Sequence, residues 1–219
     1  YSSAASDVYK RQVFKRVFDF TFSLVVLLCL SPFLMIITIW LHFANKGAGA
    51  FFFQPRPGKG EKIFNVIKFK SMTDERDENG DLLPDAKRLT KVGRFVRATS
   101  IDELPQFVNV LKGDMALIGP RPLLVEYLPY YTEREAKRHS VRPGITGYTQ
   151  VHGRNNLPWN ERLEMDVYYV EHLSFKTDFM VFWQTVVNVL SRKDVQVITG
   201  DQKTSKLSQQ RTPQRNIQI

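Results

Sequence analysis

The stretch Ser100-Ile-Asp-Glu-Leu-Pro-Gln-Phe-Val-Asn-Val-Leu-Lys-Gly-Asp114 decides how the rest of the chain is arranged. Its apolar residues recur at the spacing of one helix face, at Leu104, Phe107, Val108 and Leu111. Ser100 and Glu103 fit the S-x-x-E capping box, which predicts that Asp102 and Glu103 lie in the first turn of this helix. The positive end of a helix dipole and its unpaired N–H groups suit anions there. In the alternative interpretation Glu103 only caps the helix and Asp102 only complements the dipole.

Further blocks of sequence stand before and after this stretch in a fixed order. They are Phe53-Gln-Pro-Arg-Pro-Gly-Lys-Gly60 with Phe64–Met72, then Gly113–Pro122, then Arg142–Arg154. Together they resemble the bacterial sugar transferase family, from about Val13 to Val197. Members of that family are monotopic phosphoglycosyl transferases, and the chain resembles their minimal single-domain form. It departs from residues frequent in the family at Lys70, Ala116 and Tyr148, which leaves the sugar open.

The resemblance implies a reaction that starts bacterial glycan biosynthesis at a membrane. A sugar-1-phosphate passes from a nucleotide diphosphate sugar, expected to be a UDP-sugar, to polyprenol phosphate (undecaprenyl phosphate), and a nucleoside monophosphate leaves. In the family pattern Asp102 is the nucleophile that forms a covalent phosphosugar-aspartate. Glu103 is the acidic partner that, with Asp102, holds Mg²⁺. The resemblance also implies attachment to the cytoplasmic face of the bacterial inner membrane.

Basic residues in three of the blocks are candidates for binding phosphate. Arg121 lies between two prolines, and a rigid turn that presents an arginine favours bidentate phosphate binding. Lys68 lies on a predicted strand, and Arg97 ends a basic helical stripe close to Asp102. For Lys68 and Arg97, an ordinary solvated face is the alternative interpretation, and for Arg121 it is a plain structural turn. For the stripe, anionic lipid headgroups are a further alternative.

A second group of candidates lies later in the chain. The segment Arg142–Arg154 is rich in glycine, threonine and arginine, which is typical of a substrate-binding loop, so Arg142 and Arg154 are predicted to bind substrate. Asp166 matches an acidic position that the family places near the site. Trp159 is predicted to be either a membrane-interface anchor or a nucleobase contact.

The apolar run Val17–Phe43 predicts attachment to a membrane, because about 20 apolar residues are enough to span a bilayer. Ser31 and Pro32 interrupt the run, and positive residues lie on both sides of it. Positive residues at both ends favour the same side of the membrane. A straight spanning helix is the alternative. We therefore predict a re-entrant helix–break–helix over residues 13–44, broken at Ser31 and Pro32, and the family resemblance points the same way.

Length and composition limit the kinds of partner, cross-link and metal site that the chain can have. The chain has 219 residues and a formal net charge of +9, so anionic partners are expected. A single cysteine excludes an internal disulfide, and the four histidines lack the spacing of a zinc site. The alternative function is a non-catalytic basic module that binds anionic lipid or nucleic acid. The Asp102–Glu103 pair argues against it, because carboxylates repel phosphates, and we expect no nucleic-acid partner.

The predicted organisation is one α+β catalytic domain, mostly helical with a few short strands. Residues 1–12 lie outside the core, 13–44 form the membrane helix, 45–198 form the catalytic domain, and 199–219 form a disordered tail. A stripe of apolar residues between Phe175 and Leu190 predicts a helix that either packs in the core or lies in the membrane interface.

Overall fold

The computed structural model describes residues 2–153, 157–191, 206–215 and 217, with side chains from residue 12 onward. The α-helices are α1 (Ser2–Ala44), α2 (Asp85–Arg88), α3 (Lys91–Ala98), α4 (Gln106–Lys112), α5 (Glu133–Ala136), α6 (Tyr148–His152), α7 (Trp159–Glu171), α8 (Phe175–Leu190) and α9 (Leu207–Gln210). Short 3-10 segments cover Lys59–Glu61, Ile101–Glu103, Val125–Tyr130 and Lys137–Ser140.

The strands form two small sheets. Strand β1 (Phe51–Pro57) pairs antiparallel with β2 (Ile63–Phe69), and β3 (Ala116–Ile118) pairs parallel with β4 (Gly144–Thr146). The first pair is a hairpin whose second strand is the predicted strand of Lys68, and the second pair joins the segment after α4 to the start of the Arg142–Arg154 block. A mostly helical α+β chain with short strands is therefore confirmed.

Helix α1 is long and apolar enough, from Gln12 to Ala44, to cross a membrane by length and composition. The helix runs without interruption through Ser31 and Pro32, so the predicted separation into two helices is not seen. Proline removes one backbone donor and frees a carbonyl of the preceding turn. The Ser31 hydroxyl donates to the carbonyl of Leu28 at 2.8 Å, which bonds one carbonyl of the turn before the proline.

Both ends of the apolar part of α1, Gln12–Ala44, pack on the same domain. Near the start of this part, Arg16 donates to the carbonyls of Val110 and Leu111, the latter at 2.8 Å, at the C-terminal end of α4. A cation at this end of a helix complements the dipole and bonds otherwise unpaired carbonyls. Near its end, Ile37 and Leu41 are buried in one cluster with residues of β2 and α3. The opposite face of α1 carries exposed apolar side chains, from Phe14 to Phe43.

Helix α8 carries a second exposed apolar surface. Val181 is its buried residue, while Phe179, Trp183 and Leu190 are 68%, 59% and 78% exposed. The ring of Phe175 lies 5.2 Å from that of Phe14, so the exposed surfaces of α8 and α1 meet. Of the two interpretations of the α8 stripe, this exposure favours the membrane interface over core packing.

A buried amide fastens α4 to the hairpin. Asn109 donates to the carbonyl of Asn65 at 2.8 Å and accepts from the backbone N–H of Ile67 at 3.0 Å. The side chain of Asn109 is completely buried. The amide therefore fixes β2, and with it Lys68, relative to the segment that carries Asp102 and Glu103.

The described part of the C-terminal segment packs on the domain. Leu207 is completely buried in the cluster of Tyr127 and Trp159, Arg211 pairs with Glu135 at 2.8 Å, and Arg215 pairs with Glu61 at 2.6 Å. The prediction of a disordered tail over 199–219 is therefore wrong for residues 206–215. The polar composition of this segment suggested disorder, because it does not reveal that one leucine is buried or that two arginines form long-range ion pairs.

Candidate active site

The Asp102–Glu103 pair lies in the 3-10 turn that leads into α4. Ser100, just before this turn, has a positive φ of 56° and makes no side-chain cap hydrogen bond. The predicted capping box is therefore wrong. A non-glycine residue in the left-handed region is uncommon, and such strain tends to concentrate at functional sites. Because Glu103 does not cap the helix, its carboxylate is free to make contacts elsewhere.

The Glu103 carboxylate lies between two cations from distant parts of the chain. Its Oε1 accepts from Lys68 Nζ at 2.7 Å and from Arg121 Nη2 at 2.8 Å. The side chain of Glu103 is 21% exposed. Burial by itself raises the pKa of this carboxyl, but Arg121 and Lys68 outweigh burial and lower the pKa to about 2. Glu103 is therefore charged throughout the physiological range.

Asp102 has the opposite electrostatic character. Burial and then the charge of Glu103 raise the pKa of Asp102 to about 6, against the pull of the nearby cations Lys68, Arg97 and Arg121. Within the described residues, the Asp102 carboxylate makes no hydrogen bond or ion pair. A partly buried carboxylate with a raised pKa and no donor is more basic and more reactive than an ordinary surface aspartate.

Arg97 reaches the site from α3. Its Nε donates to the Ser71 hydroxyl at 2.7 Å, just beyond the end of β2. Helix α3 lies so close to this segment that a Cβ on Gly93 would come within 1.8 Å of the Ser71 carbonyl oxygen. The close approach at Gly93 therefore brings Arg97 towards Asp102. The structure thus brings together Lys68, Arg97, Arg121, Asp102 and Glu103.

A buried ion pair, Arg138 with Asp166, fixes the backbone of the Arg121 turn. Arg138 pairs with Asp166 at 2.7 Å and donates to the backbone carbonyl of Arg121 at 2.6 Å. Thr149 donates to the other oxygen of Asp166 at 2.6 Å. Asp166 is only 5% exposed and both of its carboxylate oxygens accept hydrogen bonds, so in this structure it supports the Arg121 turn. Sequence reasoning missed Arg138, which lies in a charged segment with the appearance of surface.

Other predicted site residues lie elsewhere. Arg142 donates to the carbonyl of Gly113 at 2.8 Å, at the opposite end of α4 from the carboxylate pair. Arg154 lies outside the described residues. Trp159 is 7% exposed and packs edge-on against Tyr127 at 5.3 Å, which corrects its prediction as a membrane anchor or an open nucleobase contact.

Two further arginines border the site and were not predicted. Arg56 is half-buried on β1, and burial and the charge of Arg121 lower its pKa to about 10. Arg162 is half-buried on α7, with its guanidinium 4.3 Å from the centre of the Trp159 ring. Burial also lowers the pKa of Arg162, and Arg121 adds to this effect, while Asp166 opposes it. The sequence signal for Arg56 was its place in the Phe53–Gly60 block.

The carboxylate pair fits a magnesium ion that is shared with substrate. The described residues contain no group of three or more His, Cys, Asp or Glu side chains able to hold a metal. Mg²⁺, however, is usually bound by one or two carboxylates together with substrate phosphates and water. Among the residues that the structure describes, no donor bonds Asp102, and Glu103 binds its two cations through Oε1 alone. Asp102 and the second oxygen of Glu103 therefore remain available to an ion.

Comparison with known proteins agrees with this architecture. The chain is 50% identical to the "Uncharacterized sugar transferase EpsL" of Bacillus subtilis, over 84% of this chain and 91% of that protein. It is 35% identical to the "Undecaprenyl-phosphate galactose phosphotransferase" of Salmonella typhimurium, over 81% of this chain and 40% of that protein. It is 39% identical to the "UDP-glucose:undecaprenyl-phosphate glucose-1-phosphate transferase" of Klebsiella pneumoniae, over 80% of this chain and 39% of that protein.

The chain thus spans most of the Bacillus protein and about two fifths of the other two relatives. The model of the family described as "Bacterial sugar transferase" matches residues 10–192, which include most of α1, the hairpin, the carboxylate pair and the Arg121 turn. The chain therefore belongs to the bacterial sugar transferase family.

Proposed function

We propose that this protein is a polyprenol-phosphate phosphoglycosyl transferase. It transfers a sugar-1-phosphate from a nucleotide diphosphate sugar to polyprenol phosphate and releases a nucleoside monophosphate. The names of the relatives from Salmonella and Klebsiella, which are undecaprenyl-phosphate sugar transferases, support the substrate classes. The family expectation makes the donor a UDP-sugar and the acceptor undecaprenyl phosphate.

The observation that carries the proposal is the contrast between the two carboxylates. Glu103 is neutralised by Lys68 and Arg121, whereas Asp102 receives no hydrogen bond from the described part of the chain and has a raised pKa. A nucleophile needs an available lone pair, and Asp102 has one. Cations around it offset the charge that a diphosphate brings, so the repulsion between carboxylate and phosphate does not prevent binding.

The reaction is proposed to proceed in two displacements. In the first, an oxygen of Asp102 attacks the phosphorus that bears the sugar, and the bond to the nucleoside-bearing phosphate breaks. The nucleoside monophosphate leaves with that electron pair. In the second, an oxygen of polyprenol phosphate attacks the same phosphorus, and the bond to Asp102 breaks, which restores the carboxylate.

The positive side chains have separate tasks in this scheme. Lys68, Arg97 and Arg121 bind the oxygens of the phosphate under attack and stabilise the negative charge that spreads over them. Glu103 holds Lys68 and Arg121 in position, and with Asp102 it would hold Mg²⁺. Bound there, the ion would supply charge neutralisation and orientation for the diphosphate.

The packing of α1 supports attachment to one side of a membrane. Arg16 and Leu41 are separated by about 38 Å of helix, at 1.5 Å per residue, yet both are packed on the same domain. A spanning helix would carry one of its ends about 30 Å away from that domain. We propose a monotopic arrangement at the cytoplasmic face of the bacterial inner membrane, in which α1 enters and leaves on one side. A soluble donor and a lipid-bound acceptor meet at such a boundary.

Release of nucleoside monophosphate from a panel of nucleotide sugars tests the proposed function. Purified protein in detergent or membrane fractions is incubated with Mg²⁺ and each donor, with and without undecaprenyl phosphate. We expect release with at least one UDP-sugar and formation of a polyprenyl-diphosphate sugar. A protein that forms no product from any donor in the panel would contradict the proposal and favour a non-catalytic binding module.

A further inference from the structure

Three arginines from separate segments form a cluster next to the carboxylate pair. Arg121, on the turn after β3, bonds Glu103 at 2.8 Å. Arg56 lies on β1, which packs against the 3-10 segment Val125–Tyr130. Tyr127 of that segment packs against the Trp159 ring at 5.3 Å, and the guanidinium of Arg162, from α7, lies over the same ring. The charge of Arg121 acts on both Arg56 and Arg162.

Two members of this cluster lack an acidic partner. Among the described residues, neither Arg56 nor Arg162 lies within salt-bridge distance of a carboxylate, whereas Arg121 pairs with Glu103. Arg56 donates to the Gln54 side chain at 2.7 Å, and Arg162 packs over the ring of Trp159. Half-buried cations that repel one another cost folding free energy. Such an arrangement is typical of a site that awaits an anion.

We infer that Arg56 and Arg162, together with Arg121, form a second phosphate subsite, which binds the nucleoside-bearing phosphate of the donor. This inference rests on the proposed function and deepens it by dividing the diphosphate between two sets of cations. Lys68 and Arg97 lie around Asp102 and bind the phosphate that is attacked. Arg121 lies between the two sets, so it can contact both phosphates of one diphosphate.

The chemistry of the guanidinium group suits this task. It presents its N–H groups in a planar fork that matches two phosphate oxygens, and it keeps its charge at any working pH. As the bond to the sugar-bearing phosphate breaks, negative charge grows on the leaving phosphate. Arg56 and Arg162 would stabilise that charge, and they would bind the free nucleoside monophosphate afterwards.

The phosphate of the lipid acceptor could bind the same arginines. Steady-state kinetics distinguishes it from the nucleoside-bearing phosphate of the donor. Arg56→Gln and Arg162→Gln are compared with Arg76→Gln, a matched control in an exposed loop. We expect each test variant to raise KM for the UDP-sugar, and the inhibition constant of UMP, by about ten- to hundredfold, the effect of losing a charged hydrogen bond. KM for undecaprenyl phosphate should stay within about twofold of the wild type.

Arg56→Lys and Arg162→Lys should recover part of the loss, since the charge remains but the fork is lost.

Direct binding of UDP separates this inference from the proposed function. Titration calorimetry in the Asp102→Asn background measures binding without turnover. We expect UDP to bind there and to lose about ten- to hundredfold in affinity when Arg56 or Arg162 becomes Gln. A rise in KM for the lipid alone, unchanged UDP affinity in the glutamine variants, or no UDP binding at all would overturn the subsite. A protein that binds UDP at these arginines but releases no UMP would overturn the reaction and leave the subsite intact.

Discussion

The neighbouring carboxyl groups of Asp102 and Glu103 have pKa values displaced in opposite directions, to about 6 and about 2. The two side chains share one turn of backbone, so the difference comes from their partners. Glu103 has two cations within 2.8 Å, and Asp102 has no hydrogen-bond donor among the described residues. The contrast predicts that neutralising Asp102 stabilises the fold, whereas neutralising Glu103 destabilises it.

Asp102→Asn should stabilise the protein at pH 7.5 while it abolishes transfer. The raised pKa means that the charged form of Asp102 costs stability, so an uncharged amide removes that cost. About 2 pKa units correspond to roughly 3 kcal/mol as an upper bound. The gain should shrink below pH 5, where the wild-type carboxyl is largely protonated. Thermal unfolding at both pH values measures it.

The same variant tests the covalent step. With donor alone, the wild type should show a stoichiometric burst of nucleoside monophosphate and a mass increase of one sugar phosphate. Asp102→Asn should show neither, because an amide is a far poorer nucleophile of nearly the same shape. A normal burst in the variant, or kinetics that require both substrates bound together, would instead support direct transfer.

Glu103→Gln should lose both activity and stability. The Glu103 carboxylate has a lowered pKa, so its charge stabilises the fold above about pH 4.5, and this stabilisation is lost as pH falls through about 2. The amide leaves Lys68 and Arg121 without their shared partner, which costs on the order of 3 kcal/mol. Melting temperature and the transfer rate at saturating Mg²⁺ measure the two effects. A variant with normal activity would remove Glu103 from the proposed metal and positioning roles.

In the metal-free protein the pKa of the Asp102 carboxyl should be about 6. An ordinary aspartate would already be ionised at pH 5. Mg²⁺ bound to the carboxylate would favour the ionised form, so this pKa should fall when the ion is added. Proton titration of the wild type against Asp102→Asn, with and without Mg²⁺, measures both values. A carboxyl of Asp102 that is already ionised at pH 5 without Mg²⁺ would contradict the proposed environment.

Asn109→Leu should uncouple the hairpin from α4. The variant loses hydrogen bonds to Asn65 and Ile67 and leaves their backbone groups unpaired, which costs about 1–3 kcal/mol for each buried group. Because Lys68 follows Ile67 on β2, kcat should fall more than donor KM rises. Melting temperature and steady-state kinetics measure both effects. Loss of stability with unchanged kcat would restrict Asn109 to a structural role.

Labelling with a water-soluble maleimide tests the membrane topology. After Cys29 is replaced, single cysteines before residue 12 and at position 79 should both be labelled from the cytoplasmic side. Cys29 of the wild type is exposed on α1 and should be protected in membranes but labelled in detergent. Labelling of the two test positions from opposite sides would exclude the one-sided arrangement.

The sequence was sufficient for the features that depend on local pattern. The strand of Lys68 and the α+β class were confirmed, and Lys68, Arg97 and Arg121 do converge on the carboxylate pair. The capping box failed because Glu103 bonds a lysine 35 positions away, which no local pattern reports. The apolar spacing also misjudged α4, whose buried residues are Gln106, Asn109 and Val110, while Val108 is 37% exposed. Polar side chains with long-range partners are buried there, and hydropathy cannot identify them.

The attachment of α1 to one domain at both ends of its apolar part affects how the protein depends on the surrounding lipid. A helix that spans a bilayer must match its apolar length to the hydrocarbon thickness, and a mismatch costs free energy. A helix held at Arg16 and at Leu41 by the same domain has no such requirement. Under the proposed topology, transfer rates should therefore depend little on the acyl-chain length of the surrounding phospholipids, so one such protein can work in membranes of different thickness.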